Sequence, residues 1–125
     1  MNEERSGIAR VAVNGAAGRM GRGCIREILN RSDLKLVRAW EAGDRPEMGE
    51  DAGLIAGGRA ADVPLTAFEP ADEVDVILDF SHHKALETLL ERSEPKPLIS
   101  GTTGLGEKVR EELWRWAECA PVISS

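Results

Sequence analysis

Short apolar segments alternate with amphipathic segments along this chain, and this alternation constrains the fold more than any other feature of the sequence. The apolar segments lie at 8–13, 34–40, 63–65, 74–80, 97–99 and 121–123, the one at 63–65 being the weakest. Their nearly continuous hydrophobicity is typical of strands that are buried on both faces of a parallel sheet. The pattern predicts an α/β fold of the Rossmann type, with a doubly wound, mostly parallel sheet, helices on both faces and the strand order 3-2-1-4-5-6.

Three groups of apolar residues between these segments have the spacing of one helical face and predict helices. The groups are Met20, Cys24, Ile25, Ile28 and Leu29, then Leu86, Leu89 and Leu90, and finally Val109, Leu113, Trp116 and Ala117. The stretch 42–61 is irregular and rich in glycine, with room for a short helix at 51–56.

The length and net charge of the chain limit the classes of function that it can have. A chain of 125 residues has the size of one domain, and it contains no linker or repeat, so a single domain over 1–125 is expected. Sixteen Lys and Arg against 22 Asp and Glu give a net charge of −6, which argues against a nucleic-acid partner. No apolar run approaches the roughly 20 residues that span a bilayer, so no membrane role is expected. Two cysteines and the lack of an apolar leader favour a cytoplasmic setting.

The segment 11–21 runs from a predicted strand through a loop of small residues into a predicted helix. A helix N-terminus carries unpaired N–H groups and a partial positive charge, and small residues let a pyrophosphate come close to both. The dinucleotide fingerprint is G-x-G-x-x-G; here Gly18 and Gly21 occupy its second and third glycine positions, and Ala16 replaces the first. Gly15 supplies the turn one residue early. A tight turn in which Gly21 only lets the helix pack on the strand is the alternative.

Three further strand ends carry residues suited to a dinucleotide, because ligands of open α/β sheets bind beyond the carboxyl ends of the strands. Glu41 follows the second strand 20 residues after Gly21, the spacing at which an acid reaches the adenosine ribose. A carboxylate there binds ribose hydroxyls and repels a 2′-phosphate; a solvated glutamate is the alternative. The segments 79–81 and 101–104 follow two other strands and offer hydroxyls and backbone donors, although either could be a simple turn.

Taken together, the segments 13–21, 49–53, 79–81 and 101–104 resemble the dihydrodipicolinate reductases of the lysine and diaminopimelate pathway. The resemblance covers nearly the whole chain from Ala9 onward. It implies an N-terminal domain that binds NADH or NADPH and a family reaction that reduces 4-hydroxy-tetrahydrodipicolinate. The cofactor-binding residues that it implies are Gly15, Ala16, Ala17, Gly18, Arg19, Met20, Glu41, Phe80, Gly101, Thr102, Thr103, Ser124 and Ser125.

Two departures from the family pattern limit what the resemblance implies. Ala42 stands where the family often has an arginine for the 2′-phosphate, so NADH is favoured over NADPH, with Arg45 or Arg19 as substitutes for that arginine. The family continues into a domain that binds substrate and forms homotetramers, and that domain is absent from this chain. We therefore expect this chain to be a monomer or a weak oligomer, to bind nicotinamide dinucleotide, and to meet its small-molecule substrate only with the missing domain.

No catalytic residue and no metal ligand is predicted within the chain. The pair His82 and His83 lacks the spacing of the family's His-His-Arg-x-x-Lys motif and is interpreted as structural or solvated, with Ser81 as the cap of the following helix. Asp79 is interpreted as a carboxylate bonded to loop N–H groups, and Trp40, Trp114 and Trp116 as packing residues. A free-standing nucleotide-binding or sensor module without catalysis is the main alternative function, and another oxidoreductase or a CoA-binding domain is a third.

Overall fold

The fold is a six-stranded sheet in which every named strand pairs in parallel with its neighbours. A computed structural model describes residues 7–124 of the chain. The strands, numbered in chain order, lie in the order 3-2-1-4-5-6, which confirms both the predicted fold class and the predicted order. None of the helices in the described part of the chain is long and apolar enough to cross a bilayer.

Strands and helices alternate along the chain as expected of crossover connections, except that the third strand leads to the fourth through the segment 67–75, which contains no helix. The strands are β1 (Ala9–Asn14), β2 (Leu34–Trp40), β3 (Leu65–Thr66), β4 (Val76–Asp79), β5 (Leu98–Ser100) and β6 (Val122–Ser124). The helices are α1 (Arg19–Leu29), α2 (Ala52–Ile55), α3 (His83–Arg92) and α4 (Glu107–Ala117). Each predicted strand is present within two residues of its predicted bounds.

The register of the sheet brings the ends of five strands to one level. Asn14 at the end of β1 pairs with Trp40 on one side and with Asp79 on the other. Asp79 pairs with Ser100, and Ser100 in turn pairs with Ser124. The loops that leave β1, β2, β4 and β5 therefore emerge side by side along a single edge.

Two separate cores cover the two faces of the sheet. One packs α1 and α2 against β1, β2 and β3, with Ile25, Ile28 and Leu65 at its centre. The other packs α3 and α4 against the remaining surface, through residues such as Leu86 and Trp116. Because both faces are buried, the strands contain the nearly continuous apolar runs that the sequence displays.

Two of the predicted helical faces each include one residue that is exposed. Met20 is 57% exposed, since the buried face of α1 begins at Gly21 and continues through Ile25 and Ile28. Ala117 lies at the exposed end of α4, whose buried residues are Val109, Leu113 and Trp116. The spacing of three and four residues is right in both helices, since the other members of each set are buried or half-buried.

Two predictions about single side chains are also wrong. Trp114 is 75% exposed and is no packing residue, because the buried face of α4 is already formed by its neighbours Leu113 and Trp116, whereas Trp40 is buried as predicted. The cap of α3 is His82, whose Nδ1 accepts a hydrogen bond from the backbone N–H of Lys84 at 3.4 Å. Ser81 does not fill this position because its hydroxyl donates to Asp79 at 2.5 Å.

Candidate functional site

The loop that follows β1 is built around a glycine that no other residue could replace without strain. Gly15 has φ +82°, and a Cβ at this position would lie 2.4 Å from the carbonyl oxygen of Phe80. A Cβ on Gly21 would lie 2.1 Å from the carbonyl oxygen of Gly15, so the first turn of α1 sits directly on the loop. The turn and the close packing predicted for these two glycines are both present.

Gly18 is different, because neither its backbone nor its surroundings require a glycine. Its φ of −79° and ψ of 175° are ordinary extended values, and the atom closest to an added Cβ is the Gly15 oxygen at 3.6 Å. Gly18 is the cap of α1, and within the described residues no side chain caps the N–H groups of that first turn. The N–H groups of this terminus thus have no side-chain partner among the described residues, and Gly18 places no side chain in front of them, which is the arrangement that binds a phosphate.

Glu41 lies beside this loop, at the end of β2. Its carboxylate accepts hydrogen bonds from the backbone N–H of Ala17 at 2.8 Å and of Ala42 at 3.2 Å, and Arg45 Nε lies 3.7 Å away. The side chain is only 11% exposed. A carboxylate has about four acceptor positions, so these contacts leave capacity for ribose hydroxyls while fixing the side chain against the loop.

Asp79 is fully buried at the end of β4 and receives four hydrogen bonds from side chains. Oδ1 accepts from Asn14 Nδ2 at 3.1 Å and from the Ser81 hydroxyl at 2.5 Å. Oδ2 accepts from the hydroxyls of Ser100 at 2.7 Å and Thr102 at 2.6 Å. The predicted loop N–H donors are therefore wrong. Backbone N–H groups of the neighbouring loops instead bond elsewhere: that of Ser81 donates to the Thr102 hydroxyl, and that of Gly101 to the carbonyl oxygen of Asp79.

The loops after β4 and β5 are in direct contact. The ring of Phe80 lies against Gly101, where an added Cβ would be 2.8 Å from two ring carbons. Thr102 is buried, whereas Thr103 is exposed. These two loops therefore form one continuous surface next to the glycine loop.

A cleft of about 450 Å³ opens beside the loop after β5. Thr102 and Thr103 line it on one side, Ser124 on another, and the exposed ring of Trp114 on a third. Three of the predicted cofactor residues thus border a single space. Ser125, the last of the predicted set, lies outside the described residues.

The histidine pair stands at the start of α3. The two rings lie 4.4 Å apart between centroids, and His82 is exposed. The structure also brings the carboxylates of Glu87, Glu91 and Glu112 within 4.8 Å of one another. Lys108 Nζ lies 2.7 Å from Glu87 and 3.4 Å from Glu91, so an ammonium group already offsets part of the negative charge of this cluster.

Sequence reasoning missed Asn14 and Ser100 as parts of the site. Both are buried polar residues at the last position of an apolar strand, where each donates to Asp79. The sequence signal for both residues was their position at the end of an apolar strand that is buried on both faces. A polar residue there needs a hydrogen-bond partner, because buried polar groups are almost always paired.

Comparison with known proteins supports the same assignment of the fold and family. The family model described as dihydrodipicolinate reductase, N-terminus, matches residues 9–125. A 4-hydroxy-tetrahydrodipicolinate reductase of Methanothermobacter thermautotrophicus is 41% identical over 120 residues, covering 90% of this chain and 43% of the relative. One from Methanocaldococcus jannaschii is 36% identical over 114 residues, covering 85% of this chain and 42% of the relative. The chain thus spans less than half the length of these relatives.

Solved structures agree on the fold. Dipicolinate-bound dihydrodipicolinate reductase from Paenisporosarcina sp. TG-14 superposes with a TM-score of 0.61 at 21% identity, over 92% of this chain and 46% of that one. A myo-inositol dehydrogenase from Corynebacterium glutamicum gives 0.64 at 20% identity, over 93% and 36%. Since the family model matches almost the entire chain, this protein belongs to the dihydrodipicolinate reductase family and corresponds to the N-terminal part of its members.

Proposed function

We propose that residues 1–125 form the nicotinamide dinucleotide-binding domain of a 4-hydroxy-tetrahydrodipicolinate reductase. The observation that carries this proposal is the uncapped first turn of α1, which begins at Gly18, a residue without a side chain. The fold itself does not require a glycine at this position, and a bound pyrophosphate does, because a side chain would stand between it and the helix N–H groups.

The remaining predicted residues fit the two halves of such a ligand. Glu41 would accept ribose hydroxyls, while the loop from Gly15 to Met20 would surround the pyrophosphate. Phe80 would lie along the adenosine half, and the segment 101–103 with Ser124 and Ser125 would follow the nicotinamide half. The level strand ends support this arrangement, because they put all of these described segments on one edge.

We further propose that NADH binds at least as tightly as NADPH. The carboxylate of Glu41 repels a 2′-phosphate, and Ala42 offers no cation. Arg45, 3.7 Å from Glu41, offsets part of that negative charge and is itself available to a phosphate because its side chain is 42% exposed. The preference for NADH is therefore expected to be small, and Arg45 is expected to set its size.

Reduction of a substrate requires more than this domain supplies. Bound NADH would provide the hydride from nicotinamide C4, and the domain's own residues would hold and orient it. We propose that the grip on the substrate carboxylates and the proton donor come from the part of the family's length that this chain does not span, which also forms the homotetramer. By itself the chain would bind the dinucleotide weakly.

Calorimetric titration of the chain with NADH, paired with the variant Gly18→Asp, tests this function. The unaltered chain is expected to bind NADH. The variant is expected to lose binding, because its carboxylate occupies the phosphate position and its negative charge repels the phosphate. Because an added Cβ meets no atom closer than 3.6 Å and the backbone of Gly18 has ordinary extended angles, the variant is expected to remain folded. Equal binding of NADH by both proteins, or no binding by the unaltered chain, would contradict the proposal.

A further inference from the structure

The burial of the Asp79 carboxyl group costs free energy, and the packing of the core does not require it. The carboxyl group is fully buried, and its four donors are a side-chain amide and three hydroxyls. No lysine or arginine of the described residues 7–124 forms an ion pair with it. Buried polar groups can often be replaced together by apolar ones at little cost in stability, so a polar network of this size is not needed merely to fill the core.

The network also does more than align the strands. The parallel ladders already bring Asn14, Asp79 and Ser100 level through backbone hydrogen bonds. What the ladders leave undetermined is the path of the loops beyond these residues. Two of the four donors, Ser81 and Thr102, belong to those loops rather than to the strands.

The two carboxyl oxygens serve different loops. Oδ1 is bonded to Asn14, which precedes the glycine loop, and to Ser81, which follows Phe80. Oδ2 is bonded to Ser100 and Thr102, which begin the loop after β5. One oxygen therefore faces the segments assigned to the adenosine and phosphate half of the ligand, and the other faces the segment assigned to the nicotinamide half.

We propose that Asp79 is a positioning residue of the dinucleotide site: Oδ1 holds the adenosine-side loops and Oδ2 holds the nicotinamide-side loop in the geometry that binds the cofactor. This inference rests on the proposed function, and Asp79 itself touches no ligand. The side chain of Ser100 is buried as well, so its effect on binding also has to pass through Asp79 and Thr102.

The test is calorimetric binding of NADH and of ADP, which lacks the nicotinamide half, to the full chain and to three variants. Asp79→Asn is expected to weaken NADH binding at least tenfold and ADP binding severalfold. Ser100→Ala is expected to weaken NADH about fivefold and leave ADP within twofold. Asp75→Asn is the matched control, because Asp75 precedes β4 at the opposite end and bonds to Arg10. It is expected to lower the unfolding midpoint and to leave both affinities within twofold.

A second pair keeps the inference testable if Asp79→Asn fails to fold. Thr102→Ser keeps the hydroxyl that donates to Asp79 and is the reference with which Thr102→Val is compared. Thr102→Val keeps the shape, loses the hydroxyl and is expected to bind at least fivefold more weakly. A role in packing alone predicts the opposite order for these two variants.

Three results would overturn the inference. They are unchanged NADH and ADP binding in Asp79→Asn, equal weakening of both ligands in Ser100→Ala, and tighter NADH binding by Thr102→Val than by Thr102→Ser. In each case binding by the unaltered chain would leave the proposed function intact. No binding of either ligand by the unaltered chain would refute the proposed function and this inference together.

Discussion

Replacing Gly15 by alanine adds a single methyl group at a position where the chain has no room for one. The φ of +82° lies in the region that L-residues rarely adopt, and the new Cβ would lie 2.4 Å from the Phe80 carbonyl oxygen and 2.9 Å from the Ser81 Cα. Both neighbours are backbone atoms, so no side-chain rotation can relieve the contact. The loop after β1 or the loop after β4 has to move.

The structure allows the cost to be worked out approximately. The left-handed backbone costs a non-glycine residue about 1–2 kcal/mol, and overpacking that shifts backbone costs about 1–3 kcal/mol. Alanine also lowers the conformational entropy of the unfolded chain, which stabilises the folded state by about 0.4–1 kcal/mol. Gly15→Ala is therefore expected to lower the free energy of unfolding by about 1–5 kcal/mol, a large part of the roughly 5–15 kcal/mol of a typical domain.

Urea unfolding followed by tryptophan fluorescence measures this difference, and Gly18→Ala is the matched control. Its φ of −79° suits alanine and its added Cβ meets nothing closer than 3.6 Å, so its stability is expected to change by less than about 1 kcal/mol. Equal unfolding free energies for the Gly15→Ala protein and the unaltered chain would refute the reasoning from the loop geometry.

Three further predictions concern cofactor choice, acid stability and turnover. NADH is expected to bind at least as tightly as NADPH, and Arg45→Ala is expected to increase the preference for NADH. A tenfold preference of the unaltered chain for NADPH in calorimetry, about 1.4 kcal/mol, would contradict this prediction. The pKa of Asp51 lies below its ordinary value of 3.8, because hydrogen bonds from backbone N–H groups, that of Ala61 foremost, outweigh the opposing effect of burial. The stabilisation from this carboxylate is therefore fully present above about pH 4 and lost as the pH falls through the lowered pKa. Asp51→Ala, which also removes the cap of α2, is expected to cost about 1–2 kcal/mol at pH 7 and less at pH 3 in urea unfolding. The 125-residue chain alone is expected to show no reductase turnover in a coupled assay with fresh synthase product. Steady NADH oxidation that His83→Ala abolishes would instead make the histidine pair catalytic.

Much of the site could be read from the sequence because its segments are local. The glycine loop depends on a few consecutive residues, and its turn at Gly15 and its close packing at Gly21 are present as predicted. The spacing that led to Glu41 also brings its carboxylate next to the loop, at 2.8 Å from Ala17 N. Errors arose where a side chain had a choice of partners. Ser81 could have capped α3, but it bonds to Asp79 instead, and His82 takes the cap.

By itself, the sequence determined the alternation of strands and helices, the order of the strands and the edge at which their polar ends gather. These features follow from the spacing of apolar residues and from the handedness of crossover connections, both of which are properties of short stretches of chain. Only the tertiary structure decided that the oxygens of Asp79 join Asn14, Ser81, Ser100 and Thr102. Asn14 and Asp79 are 65 positions apart in the chain, and no local pattern encodes which buried donor meets which acceptor. That pairing depends on the register of three neighbouring strands, which is established only when the whole sheet has formed.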